Sequence, residues 1–360
     1  MNASFLTYWR TLANGTRNGI FDRLLLGFLI PLSLPYAMVQ YLRSGLYRYG
    51  ILKAKRLPRP VISVGNITVG GTGKTPFIAY IARMLLEQGV SVAVLSRGYG
   101  GTLEGTTAVV SDGRKIFLTA EECGDEPYLL AKSIPGLMIV IGVDRHAAGL
   151  LAMEQLSPDI FLLDDGFQHL RLHRDMNILL LDCTRPFGNG WTLPAGLLRE
   201  PRWASLRADW IIHTRCTDFI MNIPGLEQIP QMSSRHKLVD AVTLCGGAQV
   251  KLATLKGLKI VAFAGIANPQ SFFDELRLQG MKLVAAISFP DHVDYHDNRI
   301  AQIRDTFRQT GADWAITTEK DGVKLNRLSD ELAKRTLLAR LDLAIDDPAL
   351  LNEELRNLLQ

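Results

Sequence analysis

The chain has few cysteines, little net charge and no repeated or low-complexity segment. Its four cysteines are spread over 360 residues without a C-x-x-C pair, which predicts neither a zinc site nor a disulfide framework and favours a reducing compartment. The net charge of +4 is too small to indicate nucleic-acid binding, although it is compatible with an anionic membrane surface or a phosphorylated substrate. We therefore expect no nucleic-acid partner, and the length allows two domains with separate cores.

An uncharged, apolar run covers residues 24–39 and is bracketed by Arg23 and Arg43. It is shorter than the ~20 residues that a membrane-spanning helix needs, and Pro31 and Pro35 interrupt it. The pattern therefore predicts an N-terminal helix that lies in the membrane interface, with its basic flanks against anionic headgroups. The alternative is a helical hairpin packed on the protein's own core.

The most informative stretch reads VISVGNITVGGTGKTP and covers residues 61–76. A β-branched run precedes a glycine-rich turn and an apolar-periodic segment follows it, which predicts a strand, a phosphate-binding loop and a helix. We expect Lys74 to reach the β- and γ-phosphates and the Thr75 hydroxyl to bind Mg²⁺. The loop departs from the strict G-x-x-x-x-G-K-[ST] pattern because Thr68 stands where glycine is expected. The candidate nucleotide-binding residues are Thr68, Gly70, Gly71, Thr72, Gly73, Lys74 and Thr75.

Farther along the chain, residues 160–165 read IFLLDD. Four apolar residues that end in two carboxylates are typical of a Walker B strand, which is buried in a parallel sheet and presents a carboxylate to Mg²⁺ at its tip. Asp164 and Asp165 are therefore candidate metal ligands. Together the two motifs predict an enzyme that binds a nucleoside triphosphate with Mg²⁺.

Three shorter motifs follow the same pattern of strand ends and helix starts: SRGYGG at residues 96–101, GDEP at 124–127 and GVDR at 142–145. Because strand ends face the ligand in open α/β sheets, Arg97 is a candidate phosphate or substrate contact. Phosphoryl transfer to an alcohol also needs a base that takes the hydroxyl proton. The candidates for that base are Asp125, Asp165 and His292.

The composition changes near residue 217. Residues 221–237 have the prolines and polar residues of a linker, residues 239–255 alternate like a small antiparallel ribbon, and a second series of strands and helices then begins. We predict an α/β fold with a P-loop NTPase-type parallel sheet, helices on both faces, and a second, smaller α/β unit. The predicted divisions are 1–57 for the membrane-associating segment, 58–216 for the P-loop core, 217–256 for the linker and ribbon, and 257–360 for the second unit.

All these motifs occur together, and in this order, in a known family. They continue in DDGFQH at residues 164–169, LPAGLLREP at 193–201, FPDH at 289–292 and TEKD at 318–321. The chain resembles the tetraacyldisaccharide 4′-kinase (LpxK) family from the apolar N-terminal segment to about Leu325. Thr68 is not a departure within this family, because the family's loop is also loose at that point.

The resemblance implies transfer of the γ-phosphoryl group of ATP to the 4′-hydroxyl of a tetraacylated glucosamine disaccharide 1-phosphate, which gives lipid IVA in lipid A and lipopolysaccharide biosynthesis. It implies peripheral binding to the cytoplasmic face of the inner membrane of a Gram-negative bacterium, and we expect a monomer. Acyl chains, at ~0.8 kcal/mol per buried CH₂, hold such a substrate in the bilayer. The enzyme must therefore work at the membrane surface.

The resemblance also implies roles for single residues. Asp125 is the implied general base, assisted by His292, while Lys74 and Mg²⁺ stabilise the transferred phosphoryl group. The implied metal ligands are Thr75, Asp164, Asp165 and Glu126. The implied substrate contacts, together with Arg97, are Arg145, Gln168, His169, Arg199 and Glu200. Because Asp125 and His292 lie on different predicted units, we expect the two units to close over the nucleotide.

Other interpretations share parts of these patterns. A membrane-associated ATPase or GTPase switch uses the same phosphate loop and Walker B strand but needs no lipid acceptor. The spacing of His292 and Asp297 matches a glycerolipid acyltransferase motif, which would leave the phosphate loop without a role. Lys320 and Asp321 resemble the end of a loop that reads a nucleotide base, although the N-K-x-D spacing is not met.

Overall fold

The computed structural model describes residues 3–216, 223–291, 293–325, 328 and 330–359, without the side chains of residues 3–7, 236 and 330. The helices are α1 (Ala3–Ala13), α2 (Ile20–Arg48), α3 (Lys74–Glu87), α4 (Ala120–Cys123), α5 (Asp125–Ser133), α6 (Arg145–Gln155), α7 (Pro269–Leu278), α8 (Asp297–Thr310), α9 (Glu319–Gly322), α10 (Asp330–Lys334) and α11 (Ala349–Asn357). The strands are β1 (Val61–Gly65), β2 (Val92–Ser96), β3 (Ala108–Asp112), β4 (Met138–Ile141), β5 (Ile160–Asp164), β6 (Met176–Asp182), β7 (Trp210–Thr214), β8 (Gln231–Thr243), β9 (Gln249–Val250), β10 (Lys259–Ala264), β11 (Lys282–Ser288), β12 (Trp314–Thr318) and β13 (Thr336–Ile345). Short 3₁₀ helices cover Arg202–Arg207 and Leu252–Leu255.

The strands form one continuous sheet. Their order across it is β11, β10, β12, β13, β8, β7, β6, β1, β5, β2, β4 and β3, with β9 beside β8. Neighbours are parallel except for the pairs of β3 with β4, β8 with β13 and β8 with β9. Strands β1 and β5 are buried along their whole length, as continuous apolar runs in a parallel sheet require. The predicted α/β class is therefore confirmed.

Strand β8 connects the two halves of the sheet. Its first residues pair in parallel with β7, where Gln231 lies beside Ile211, and its later residues pair antiparallel with β13, where Thr243 lies beside Leu337. The ribbon expected at residues 239–255 is thus the end of a long strand with β9 against it. The sheet runs through the predicted linker, and the four-part division of the chain stays a prediction.

Apolar side chains are buried on both faces of the sheet. Helix α3 packs on one face through Phe77, and α6 packs on the other through Ala148. The C-terminal helix α11 returns to the first half of the sheet, because Leu351 joins the same cluster as Phe77. The indole of Trp210 in β7 donates a hydrogen bond to Glu354 in α11. Helix α11 therefore covers part of the same apolar core as α3, the helix that follows the phosphate loop.

Helix α2 runs through both prolines as one helix of 29 residues, so the expectation that Pro31 and Pro35 interrupt the segment is wrong. Ser33 lies between the prolines and donates to the Thr192 carbonyl at 2.9 Å, which holds the helix on the loop after β6. Only 6% of its most apolar 18-residue window is buried, which contradicts the alternative of a hairpin packed on the core. By length and composition alone, α2 is sufficient to cross a membrane.

Cys183 and Cys216 form a disulfide, so the expectation of no disulfide is wrong at this pair. The two residues are 33 positions apart, but each follows the end of a strand, β6 or β7, and these strands are parallel neighbours. The register that pairs Asp182 with Thr214 brings the sulfur atoms together, which sequence spacing does not reveal.

Candidate active site

The predicted phosphate-binding stretch has the expected strand, loop and helix. Strand β1 ends at Gly65, and α3 begins at Lys74 after Gly73, whose φ of 81° is in the left-handed region that favours glycine. Asn66 supports the loop from within, because its side-chain amide donates to the Thr68 carbonyl at 2.9 Å. Lys74 Nζ donates to Asn66 Oδ1 at 3.1 Å. The loop thus leads into a helix N-terminus, which favours bound anions.

Asp164 is the last residue of β5 and is 6% exposed. One of its carboxylate oxygens accepts a hydrogen bond from Ser96 Oγ at 3.0 Å, and the other makes none with any described residue. Burial, Glu126 and Asp165 together raise the pKa of Asp164 to about 6. A buried carboxylate with an unpartnered oxygen is suited to receive a cation.

Asp165 comes next and faces two protein cations. Lys74 Nζ lies 3.4 Å from one of its oxygens, and Arg199 donates to the other at 2.7 Å. Although burial opposes the shift, Lys74 and Arg199 lower the pKa of Asp165. Asp165 is therefore ionised and neutralised within the protein, and Asp164 is the more available of the two carboxylates for a metal ion.

Arg145 and His169 lie in the same region. Arg145 is 6% exposed and donates to the Gly142 carbonyl, and burial lowers its pKa while Asp164 and Asp165 oppose that shift. Burial and the nearby Arg145 lower the pKa of His169 to about 4. Its Nε2 atom has no hydrogen-bond partner among the described residues. His169 is therefore neutral at pH 7 and has a ring nitrogen available to a ligand.

Gln168, Arg199 and Glu200 form a connected group between the phosphate loop and α2. Gln168 Nε2 donates to the Asn66 carbonyl at 2.8 Å, and Arg199 donates to Gln168 Oε1 at 3.4 Å. Glu200 is 1% exposed and accepts hydrogen bonds from Gln168 at 3.4 Å and from Arg207 at 2.6 Å. The buried Glu200 thus supports this group from within the protein.

The second half of the sheet brings two lysines to the site. Lys324 Nζ lies 2.5 Å from the carboxylate of Asp125, the first residue of α5. Lys320 Nζ lies 3.5 Å from the carboxylate of the adjacent Glu126. His292, the predicted partner of Asp125, lies outside the described residues. The predicted base is therefore at a contact between the two halves, and its pairing with His292 stays a prediction.

One cleft of about 1580 Å³ brings most of these residues together. The predicted site residues that line it are Gly70, Gly71, Thr72, Gly73, Lys74, Thr75, Arg97, Asp125, Glu126, Arg145, Asp164, Asp165, Gln168, His169 and Arg199. Thr68 and Glu200 are buried instead. Arg97 pairs with Glu104 at 3.0 Å. Motifs that are far apart in the sequence thus meet in one place.

Several cations near the site are absent from the predicted set, and among them are three that contact predicted site residues. Arg215 follows β7 and donates to the Gly71 carbonyl, Arg43 of α2 donates to the Gln168 carbonyl, and Lys324 pairs with Asp125. Arg215 alone carried a sequence signal, since it stands at the carboxyl end of a parallel strand. The other two reach the site only through long-range packing.

Asp321 does not fit a role in reading a nucleotide base. It is 2% exposed, and its carboxylate accepts hydrogen bonds from the Gly265 amide at 3.0 Å, the Tyr295 hydroxyl at 2.9 Å and the Thr318 hydroxyl at 2.7 Å. These bonds tie the ends of β10 and β12 together. The base-reading interpretation of Asp321 is therefore wrong, and its role is structural.

Comparison with known proteins identifies the family. The family model described as tetraacyldisaccharide-1-P 4′-kinase, LpxK, matches residues 25–360. The chain belongs to the tetraacyldisaccharide-1-P 4′-kinase family. A tetraacyldisaccharide 4′-kinase from Pelobacter propionicus is 61% identical to this kinase over 360 residues, which cover 100% of both chains. One from Geobacter sulfurreducens is 56% identical over 321 residues, which cover 89% of this chain and 90% of the relative.

A solved structure is similar to this kinase over most of its length. It is LpxK from Aquifex aeolicus in complex with ATP, with 35% sequence identity and a TM-score of 0.80, and the match covers 93% of this chain and 100% of that chain. The family resemblance and the P-loop fold predicted from the motifs are therefore confirmed. The roles of the single site residues stay predictions.

Proposed function

We propose that this kinase transfers the γ-phosphoryl group of ATP to the 4′-hydroxyl of tetraacyldisaccharide 1-phosphate, which gives lipid IVA, at the cytoplasmic face of the inner membrane. One observation carries the proposal: the phosphate loop and the C-terminal end of the exposed apolar helix α2 border the same cleft. Arg43 and Tyr47 of α2 line that cleft together with Lys74 and Asp164. The family of the chain and the ATP bound to the Aquifex relative support this proposal.

The residues at the loop also fit Mg²⁺. Among the described residues, no group of three or more His, Cys, Asp or Glu side chains is suited to hold a metal. Mg²⁺ in nucleotide sites usually takes one or two carboxylates, water and the phosphates themselves, so such a group is not required. The unpartnered oxygen of Asp164 and the Thr75 hydroxyl would hold the ion. When bound, it neutralises charge on the transferred phosphoryl group.

Asp165 and Glu126, the other predicted metal ligands, already contact protein cations. Asp165 pairs with Lys74 and Arg199, and Glu126 pairs with Lys320. We therefore propose that Asp165 and Glu126 position these lysine and arginine side chains around the phosphates. Lys74 is proposed to stabilise the charge on the γ-phosphoryl group during transfer.

Asp125 is the general base of the proposed reaction. It takes the proton of the 4′-hydroxyl while that oxygen bonds to the γ-phosphorus and the bond from phosphorus to the β,γ-bridging oxygen breaks. Lys324 holds the Asp125 carboxylate in place from the second half of the sheet. His292 is proposed to assist Asp125 by sharing the proton.

The acceptor sugar is proposed to bind beside Arg145, His169 and Arg199. A neutral His169 with an available Nε2 can hydrogen bond to a sugar hydroxyl, and the two arginines can bind its polar groups. Arg97 lies at the outer part of the cleft, while Gln168 and Glu200 position their neighbours. The acyl chains stay in the bilayer beside α2, and we propose that the enzyme acts there as a peripheral monomer.

The test is transfer of ³²P from γ-labelled ATP to the disaccharide lipid in detergent micelles. The Asp125→Asn variant is expected to lose roughly 10²-fold or more in kcat, the scale of a general base, because the amide cannot accept the proton. The matched control is Asp305→Asn, a substitution of an aspartate on α8 whose side chain is 55% exposed.

Each other outcome of this assay has a definite meaning. Labelled lipid with an unaffected Asp125→Asn variant would remove the base assignment but keep the kinase. Turnover of ATP without labelled lipid would contradict the proposed reaction and favour a nucleotide-hydrolysing switch.

A further inference from the structure

Arg215 connects the end of β7 to the phosphate loop. Its guanidinium donates to Asp182 Oδ2 at 2.8 Å and to the Gly71 carbonyl at 2.6 Å. Arg215 has a φ of 60°, in the left-handed region that residues other than glycine rarely adopt. Such a conformation persists where the surrounding structure holds it. The guanidinium that makes these two hydrogen bonds therefore belongs to a residue whose own backbone conformation is constrained.

The backbone at Asp182 and Arg215 is restrained by strand pairing and by a disulfide. Asp182 ends β6 and pairs with Thr214 at the end of β7, and the Cys183 amide donates to the Thr214 carbonyl at 2.9 Å. The disulfide then joins Cys183, next to Asp182, to Cys216, next to Arg215. The ion pair is thus flanked by a covalent link and by the sheet, which fix the backbone at both of its residues.

The phosphate loop is bonded to its surroundings at several points, one of which is the contact with Arg215. Its inner part is tied down, because Asn66 donates to the Thr68 carbonyl and the Val69 amide donates to the Leu197 carbonyl at 2.7 Å. Asn66 also donates to the Gly70 carbonyl at 3.4 Å, and a Cβ atom at Gly71 would lie 3.5 Å from Ala267 Cβ. Arg215 adds a side-chain hydrogen bond at the next carbonyl of the loop, that of Gly71.

The bond to Gly71 sets the direction of the next amide. In a planar trans peptide, the carbonyl of one residue and the N–H of the following residue point in opposite directions. When Arg215 holds the Gly71 carbonyl, the Thr72 N–H must point away from Arg215. Backbone N–H groups aimed into a loop are what bind phosphate oxygens at such motifs.

We propose that Arg215 is a positioning residue for ATP, which fixes the peptide between Gly71 and Thr72 so that the Thr72 N–H faces the phosphates. It acts through the loop and takes no part in the transfer of the phosphoryl group. This inference rests on the proposed function, since it requires that ATP phosphates occupy the loop. The two can still be tested separately.

The experiment measures binding of the β,γ-imido analogue of ATP with Mg²⁺ by calorimetry, and KM for ATP and for the lipid from initial rates. Arg215→Ala is expected to weaken analogue binding and raise KM for ATP about tenfold, the scale of a hydrogen bond with one charged partner. KM for the lipid is expected to stay within about twofold. Arg215→Lys should recover part of the loss, since one ammonium replaces a fork that bonds two partners.

Two further variants make the result decisive. Asp182→Asn removes the charge that holds Arg215 and is expected to change ATP binding in the same direction, by a smaller factor. Arg308→Ala removes an arginine from an exposed pair with Glu331 and is expected to change nothing. A folded Arg215→Ala protein that binds the analogue as tightly as wild type would overturn the inference. If that variant does not fold, unchanged binding by Asp182→Asn would overturn it instead.

The wild-type protein separates this inference from the proposed function. If wild type itself does not bind the analogue, the assignment of the phosphate loop fails, and the proposed function fails with it. If wild type binds and both variants bind equally well, only the role of Arg215 is rejected. A simple structural role would lower thermal stability and raise neither KM nor the dissociation constant.

Discussion

The Asp164 carboxylate combines burial with an oxygen that has no partner among the described residues. Its pKa is raised to about 6 by burial and by Glu126 and Asp165, against an ordinary value near 4. Between about pH 4 and pH 6 the folded protein therefore binds more protons at this residue than the unfolded chain does. The stability that this residue contributes falls as the pH rises through that range. In return, the ionised carboxylate is available to a cation at neutral pH.

The substitution Asp164→Asn tests whether the ionised Asp164 carboxylate lowers the free energy of unfolding and is needed for kinase activity. Without nucleotide at pH 7.5, we expect the free energy of unfolding to rise by roughly 1 to 3 kcal/mol, because the buried charge is removed. The difference from wild type should disappear below about pH 4, and kinase activity at pH 7.5 should fall at least about tenfold. Urea unfolding at several pH values measures the first effect and initial rates the second. A variant that is less stable than wild type at pH 7.5 would contradict the assignment.

At the scale of single elements, helix α2 is the proposed contact with the membrane. Leu24 and Phe28 on its free face are 67% and 68% exposed. Burying such a side chain in an apolar medium contributes about 1.5 to 3 kcal/mol. The double substitution Leu24→Glu with Phe28→Glu should therefore lower partition into phospholipid vesicles at least about tenfold, measured by co-sedimentation, and leave ATP binding unchanged.

The matched control for α2 is the double substitution Leu278→Glu with Leu350→Glu, which places the same two charges at leucines of α7 and α11 that are 81% and 61% exposed. We expect this variant to bind vesicles like wild type. Equal losses in both proteins would indicate a general effect of charge, and unchanged binding of the α2 variant would remove α2 as the membrane contact.

The ends of β6 and β7 give a further prediction, on thiol content. Cys183 and Cys216 are bonded, Cys123 is buried and Cys245 is exposed. A maleimide reagent should therefore label one thiol in the native protein, two after denaturation and four after reduction, as counted by intact mass spectrometry. Four labelled thiols in denatured, unreduced protein would contradict the disulfide.

Local sequence patterns predicted those elements whose structure depends on residues that are close together in the sequence. The glycine-rich loop between β1 and α3 and the acidic tip of β5 depend on sequence neighbours, so their motifs were sufficient. The length of α2 was not predictable from the rule that proline interrupts helices, because contacts such as that of Ser33 with Thr192 support it. The disulfide, the extent of β8 and the approach of Lys324 to Asp125 depend on strand register and long-range packing, which no local pattern encodes.

On the scale of the whole molecule, a continuous sheet links two halves that each contribute to one cleft. The first half provides the phosphate loop, Asp125 and Asp164. The second half provides Lys320, and its Lys324 pairs with Asp125. Phosphoryl transfer to a sugar rather than to water requires that water be kept from the γ-phosphate. The ion pairs of Lys320 with Glu126 and of Lys324 with Asp125 connect the two halves and are suited to keeping water out. Closure of the two units over the nucleotide stays a prediction.

The proposed kinase reaction is tested most directly by the identity of its product, measured by ³¹P NMR of the lipid recovered after reaction with ATP and Mg²⁺. We expect a second phosphomonoester on the disaccharide, coupled to the 4′ position, in an amount equal to the ADP formed. ADP and inorganic phosphate formed at the same rate with and without lipid, and a lipid that keeps only its 1-phosphate, would contradict it.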